Sequence, residues 1–419
     1  MSFFFCNFAA QINIYMSETL HIEHFGPIPK ADVEIRRVTI FIGSQGSGKS
    51  TIAKLLTIFR DHFWRCAVLQ GDTKEVMGQF AEFAIDKYFT NKTYIKYTND
   101  SVFNDVIEYK SGKFTYTSND MKSKELLTVE LGLIDAVSSS FVERLGYKKV
   151  EDLLGKPEMK MLHANNRTSL YVPAERVMAG QLSTSIFNII TNNIPLSNPI
   201  MEYLSFFEKA RKEFSMYSIP FLDAEYIIEK GEEKVIVGKK QGKKNTLSLK
   251  DCSSGLQTVI PLLMIMEYCS KMKCFDSFVL EEPELNLFPS NQQELLRFIM
   301  SRYNNITNNK TAIVITTHSP YILSILNNYL YAAKVADMLG NEKSKVNEIV
   351  DERLHLQEID CAVYSLGKIV NQKDYCVSVI SKETGLIDYN FLDAVSMEIG
   401  DVFDNLQLLS MQAERASIK

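Results

Sequence analysis

Three stretches of this sequence predict an α/β protein, a mixed sheet flanked by helices. Val38 to Ile42 is an apolar run of strand length that enters the glycine-rich segment FIGSQGSGKST (41–51), after which Ile52, Leu55, Leu56, Phe59 and Phe63 recur at helical spacing. Phe278 to Leu280 is a second apolar strand, and it ends in Glu281 and Glu282. Ala312 to Thr316 is a third, ending in Thr317-His318-Ser319-Pro320. Apolar strands that alternate with helical segments argue for a sheet covered by helices.

The glycine-rich segment fits G-x-x-x-x-G-K-[ST] at Gly43, Gly48, Lys49 and Ser50, the pattern of a phosphate-cradling P-loop. Its glycines let the backbone turn tightly and aim N–H groups inward, and the following helix adds its positive end. Gly43, Ser44, Gln45, Gly46, Ser47, Gly48, Lys49, Ser50 and Thr51 are therefore the expected ATP-binding run. Lys49 would reach the β- and γ-phosphates, and the Ser50 hydroxyl would ligate Mg²⁺.

The 419 residues allow a large core and two or three subdomains. With 46% hydrophobic residues, 23% charged and a net charge of −5, the chain is not built for an open, nonspecific grip on nucleic acid. Seven cysteines without a C-x-x-C pair suggest reduced thiols and a cytoplasmic setting, with Cys269 and Cys274 as core residues. No apolar run reaches the roughly 18 residues of a membrane span. The N-terminal stretch lacks the features of a signal peptide, and Met16 is an alternative start.

In chain order, residues 1–17 read as an extension and 18–60 as the P-loop part of the head. Leu20 to Gly43 is expected to form two strands joined at Gly26-Pro27, the second feeding the loop, with the next helix running to about Cys66. Residues 61–250 hold an antiparallel β subdomain with helical insertions. Thr73 to Tyr88 is helical; Thr93–Tyr97, Val102–Tyr109 and Lys113–Thr117 are short strands; 119–165 is helical without sustained heptads. Thr168 to Val172 is a strand, 180–217 mostly helical, and Ala224 to Leu249 three strands around Gly231 and a turn with Lys239, Lys240, Lys243 and Lys244. A solvated hairpin tip is the plainer reading of those lysines, phosphate contact the sharper one.

Residues 251–335 complete the head. Ser290-x-x-Gln293 suggests a capping box, and Ser319 with Pro320 a helix start. Pro261 predicts a kink or a delayed start for the helix after Ser254. A small α+β addition follows over 336–419, with strands at Cys361–Val370 and Cys376–Ile380 and an amphipathic helix over Tyr389–Leu409. Its acids Asp388, Asp393, Glu398, Asp401 and Asp404 read as a solvated face.

Two carboxylates at the tip of a buried strand need compensation, which Mg²⁺ supplies. Glu281 would hold the metal and Glu282 would polarise the attacking water. His318 at the neighbouring strand end would hydrogen-bond the γ-phosphate. LEEPELNLFP (280–289) resembles the Walker B motif and D-loop of ATP-binding-cassette-type ATPases, TTHSP (316–320) their H-loop, and DCSSGLQ (251–257) a degenerate form of their signature motif. The ordered set, with YVPAER (171–176) and ETGLIDYNFLDAVS (383–396), is most similar to soluble RecF-like and OLD-like ATPases, including those of anti-phage systems such as Septu and PARIS. Glu175 and Arg176 within YVPAER receive no role.

The resemblance implies a P-loop NTPase with an ABC-ATPase-like head. In such proteins two copies meet head to tail, and Ser253, Ser254 and Gly255 of one would cap the ATP held by the other. It implies an ATPase with ATP and Mg²⁺ as cofactors, acting as a homodimer or higher homo-oligomer in defence or DNA transactions. Effector activity is expected in a separate protein; nucleic acid stays open as a partner and a membrane is not expected. The alternatives are a nucleotide-binding subunit of a membrane transporter, or a non-hydrolysing ATP-dependent scaffold. Against the transporter stand the 210 positions between Gly43 and Ser253 and the C-terminal addition.

Overall fold

The computed structural model describes residues 18–99, 105–117, 169–182, 196–229, 232–238, 242, 244–272, 275, 277–305, 312–367, 374–388 and 390–417. The expectations for residues 1–17, for the helical stretch 119–165, for Cys274 and for most of the lysine-bearing turn lie outside them.

The described strands are β1 (Glu18–Phe25), β2 (Ile28–Ile35), β3 (Val38–Gly43), β4 (Tyr94–Asn99), β5 (Asp105–Lys110), β6 (Lys113–Thr117), β7 (Ser169–Val172), β8 (Met216–Ile219), β9 (Ala224–Glu229), β10 (Glu232–Val237), β11 (Asn245–Leu247), β12 (Ser277–Glu281), β13 (Ala312–Thr316), β14 (Cys361–Leu366) and β15 (Cys376–Ser378). The helices are α1 (Lys49–Arg60), α2 (His62–Gln70), α3 (Thr73–Glu82), α4 (Met178–Leu182), α5 (Asn198–Glu213), α6 (Ser254–Met272), α7 (Pro289–Asn305), α8 (Pro320–Leu339), α9 (Ser344–Asn347) and α10 (Phe391–Ser417). The fold is α/β, as expected.

A six-stranded sheet in the order β15-β14-β3-β13-β12-β7 forms the centre, parallel except for β15. Its strands β14, β3, β13 and β12 are buried on both faces, and alternate residues feed different cores. Val38, Ile40 and Ile42 of β3, with Phe278 and Leu280 of β12, pack into one core that also holds residues of α5 to α8. Phe41, Val279 and Val314 face the other, shared with α1 to α3 and the antiparallel sheet β2-β1-β4-β5-β6. A third sheet, β11-β10-β9-β8, is antiparallel as well.

Several boundaries differ from expectation. Three strands, not two, precede the loop: β1 and β2 form the hairpin across Gly26-Pro27, and β3 belongs to the central sheet. The helix after the loop ends at Arg60 rather than near Cys66, because Asp61 takes an extended conformation and its side chain accepts from the Trp64 N–H at 2.7 Å, capping α2. Ser290 does not cap α7. That helix starts at Pro289, and the Phe288 carbonyl accepts from Asn291 and Gln292. Pro261 does not delay α6, which runs continuously from Ser254. Ser319 does cap α8, accepting from the Tyr321 N–H at 3.2 Å with Pro320 in the first turn.

One buried ion pair ties the end of α1 to both neighbouring sheets. Arg60 donates twice to Glu18 of β1, each bond 2.8 Å, and the Tyr97 hydroxyl of β4 donates to the same carboxylate. The remaining guanidinium nitrogen lies 3.4 Å from Ser169 of β7 and 3.3 Å from Ser277 of β12. The order of the central sheet then sets what stands at its edge. Phe41, Thr316 and Glu281 are in register across β3, β13 and β12, so the loops that follow all emerge on one side.

Candidate functional site

That edge gathers the glycine-rich loop, the acid pair and His318. Gly43 has φ +146°, and a Cβ there would lie 2.1 Å from the Leu366 carbonyl of β14. At Gly48, φ is +90° and a Cβ would strike Ile28 at 2.5 Å. Only glycine meets both demands, a left-handed backbone and close approach. The Lys49 ammonium folds back and donates to the carbonyls of Gly43 and Ser44, both at 2.9 Å. Burial pulls its pKa down to about 8, opposed by the charges of Glu282, Glu281 and Glu284. Ser47 presents a buried hydroxyl without a hydrogen-bond partner, whereas Ser50 is exposed at the start of α1. The Tyr375 hydroxyl donates to the Ser47 carbonyl at 3.1 Å and braces the loop from the side of β15.

Glu281 ends β12 and is 5% exposed, and one of its carboxylate oxygens is buried with no hydrogen-bond partner. The Tyr171 hydroxyl is its hydrogen-bonded neighbour, and burial followed by the Glu281 charge pushes that phenol well above its usual pKa. Glu282 follows with φ +42°, a left-handed conformation that a glutamate adopts only when its surroundings impose it. Its N–H donates to the Thr316 carbonyl at 2.9 Å, and Arg176 donates to its carbonyl. The Glu282 carboxylate, turned out of the strand, stands 3.4 Å from His318 Nε2. Burial, then the Lys49 charge, lower the His318 pKa, with Glu282 opposing them, a shift that favours the neutral imidazole.

Two side chains that the motifs leave without a role hold this edge together. Arg176 is fully buried and donates to the carbonyls of Pro173 at 3.2 Å, Glu281 at 2.6 Å and Glu282 at 2.5 Å. Glu284 is 7% exposed, accepts from the Thr317 hydroxyl and the His318 N–H, and joins the loop after β12 to the loop after β13. Burial raises its pKa. The third acid of LEEPE was the available sign of Glu284. Arg176 carried no such sign, because its partners are main-chain carbonyls 105 and 106 residues away.

Ser253 and Ser254 lie exposed where the 19-residue α6 begins. Gly255 is buried against the turn after Glu284, where a Cβ would come within 2.8 Å of the Asn286 carbonyl. Gln257 turns inward and donates to the carbonyls of Lys250 and Cys252, both at 2.8 Å. No hydrogen bond or ion pair joins residues 253–255 to the glycine-rich loop of the same chain among the described residues. Ser253 and Ser254 thus stand exposed at a helix start, where the first N–H groups have no partner within the helix.

The donor set fits a hard cation. One buried carboxylate with an unpaired oxygen and one hydroxyl, completed by phosphate oxygens and water, suits Mg²⁺. No cluster of three or more His, Cys, Asp or Glu occurs among the described residues, and a cation held largely by phosphate and water does not need one.

A family model described as an AAA ATPase domain matches residues 16–135 and 73–323. Among solved structures, an SMC head bound to the C-terminal winged-helix domain of ScpA aligns at 14% identity and TM-score 0.37, covering 88% of this chain and 98% of its own. The SMC head domain from Thermotoga maritima aligns at 14% identity and TM-score 0.35, covering 74% and 92%. The ADP conformation of MJ1267, an ATP-binding cassette of an ABC transporter, aligns at 12% identity and TM-score 0.27, covering 74% and 84%. No curated protein matches the sequence.

Proposed function

For a chain that belongs to the AAA ATPase domain family, we propose an ATP-hydrolysing head that closes around nucleotide with a second copy of itself. ATP phosphates would displace the Lys49 ammonium from the carbonyls of Gly43 and Ser44 and take its place among the loop N–H groups. Ser50 and Glu281 would hold Mg²⁺, which supplies charge neutralisation of the β- and γ-phosphates when bound. Glu282 would accept a proton from the attacking water, while neutral His318 stays available as a donor to the γ-phosphate. Ser253, Ser254 and Gly255 at the exposed start of α6 would close the other copy's site, their N–H groups meeting its γ-phosphate.

The observation that carries this reading is the 3.4 Å approach of Glu282 to His318, on the same sheet edge as the P-loop and beside a Glu281 oxygen with no partner. Nucleotide state would pass to a partner protein or nucleic acid. The motif set supports a RecF-like or OLD-like role in defence or DNA transactions, in the cytoplasm.

Glu282→Gln tests the proposal. The variant should bind ATP, lose turnover by roughly 10²–10⁴, and associate more tightly with ATP than with ADP. Hydrolysis at the parent rate, or association indifferent to the γ-phosphate, would refute the assignment.

A further inference from the structure

Helix α10 starts on the body and then leaves it. Asn390 accepts from the Leu392 N–H at 3.0 Å, and the Asp393 carboxylate accepts from the Asn390 N–H at 3.1 Å, so two side chains fix its first turn. Leu392 packs against the core. From residue 399 to 410 every residue is exposed, including Ile399, Val402, Phe403, Leu406 and Leu409 at 59–67%. Among the described residues nothing covers this apolar stripe.

The stripe has a definite period. Leu392, Val395, Ile399, Val402, Leu406 and Leu409 follow one another at alternating three- and four-residue steps, and the sequence continues the pattern at Ala413 and Ala416. This is the a and d pattern of a two-helix seam rather than the broader apolar face of a helix lying on a globular core. The 27-residue helix is about 40 Å long, enough for more than three such repeats.

We propose that a second copy of this chain covers the stripe with its own α10, in a seam that forms without nucleotide. Area supports a second copy. At roughly 100 Å² of apolar surface per side chain, Ile399, Val402, Leu406 and Leu409 on the stripe, with Phe403 flanking it, and their counterparts remove about 1,000 Å² from water, the lower bound of a specific interface. Charge placement supports it too. Asp393, Asp401 and Asp404 fall at b, c and f positions, away from the seam, so an equally acidic helix meets no opposing row of carboxylates. Position 398 falls at g, whose counterpart in a parallel pair is the position of Phe403 rather than of a charge. A basic partner helix would gain little from acids that point away from it.

The seam stands apart from the ATP-dependent closure proposed above, and its test uses none of that machinery. Sedimentation of the full nucleotide-free chain, at micromolar concentration, should give the mass of two copies, unchanged by Lys49→Ala. Ile399→Glu combined with Leu406→Glu should raise the dissociation constant at least about a hundredfold and leave single copies. Its melting temperature should not drop below that of a parent sample diluted to single copies, because both side chains are exposed. Ile399→Leu and the outward-facing Gln407→Glu should keep the pair. A parent chain that sediments as single copies overturns the proposal and assigns the stripe to another protein. A pair that survives the double substitution overturns it as well, by placing the contact elsewhere.

Discussion

Arg176 donates to the main-chain carbonyl of Glu282 at 2.5 Å, across 106 residues of sequence, while its other terminal nitrogen donates to the Glu281 carbonyl at 2.6 Å. The guanidinium fork thus grips two successive peptide units and holds Glu282 at φ +42°, with its carboxylate beside His318. A planar, rigid donor is needed for this, since a single ammonium cannot reach both carbonyls with good geometry.

Arg176→Lys should therefore lower ATP turnover about 10- to 100-fold and leave ATP affinity within about twofold, because the P-loop contacts are untouched. Losing buried hydrogen bonds should also cost about 1–3 kcal/mol of stability. Steady-state kinetics, nucleotide titration and denaturant unfolding separate these effects. Unchanged turnover would remove Arg176 from the site's support.

Lys49 makes nucleotide binding pH-dependent. In the free protein its pKa lies at about 8, and phosphate oxygens in the nest would raise it again. Binding then takes up a proton wherever the free lysine is partly neutral, about half a proton near pH 8 and little below pH 6.5. ATP affinity should accordingly weaken as pH rises past 8. Calorimetry in two buffers of different ionisation enthalpy reads the proton count. Lys49→Arg, whose charge does not titrate, should abolish the proton uptake.

The two ends of the signature segment should respond differently. Gly255→Ala places a methyl 2.8 Å from the Asn286 carbonyl and should destabilise the chain by about 1–3 kcal/mol, lowering the melting temperature. Ser253→Ala alters an exposed side chain and should leave melting unchanged while weakening ATP-dependent association. Loss of stability in Ser253→Ala would show that the serine supports its own chain and does not cap a partner's nucleotide.

Much of this molecule was legible in the chain itself. Strand β3, the loop at Gly43 to Thr51, the strand ending at Glu281 and the cap at Ser319 are local, because hydrophobic period and turn chemistry act over a few residues. Contrasts between neighbours were less legible. Arg36 and Arg37 separate β2 from β3 and send them to different sheets, and Asp61 divides one apparent helix into α1 and α2. The first outcome depends on partners far away in sequence, and the second on which of two local conformations Asp61 takes.

Sequence alone determined the residue types at the phosphate loop and the acid pair, since anion binding and buried charge each demand particular side chains at fixed spacing. Only the tertiary structure decided that Glu282 turns out of its strand, that Arg176 and Glu284 hold that turn, and that no described residue covers the stripe of α10. Main-chain carbonyls and buried surface are the partners in those cases. Every residue carries a carbonyl and many are apolar, so no motif announces which of them will meet.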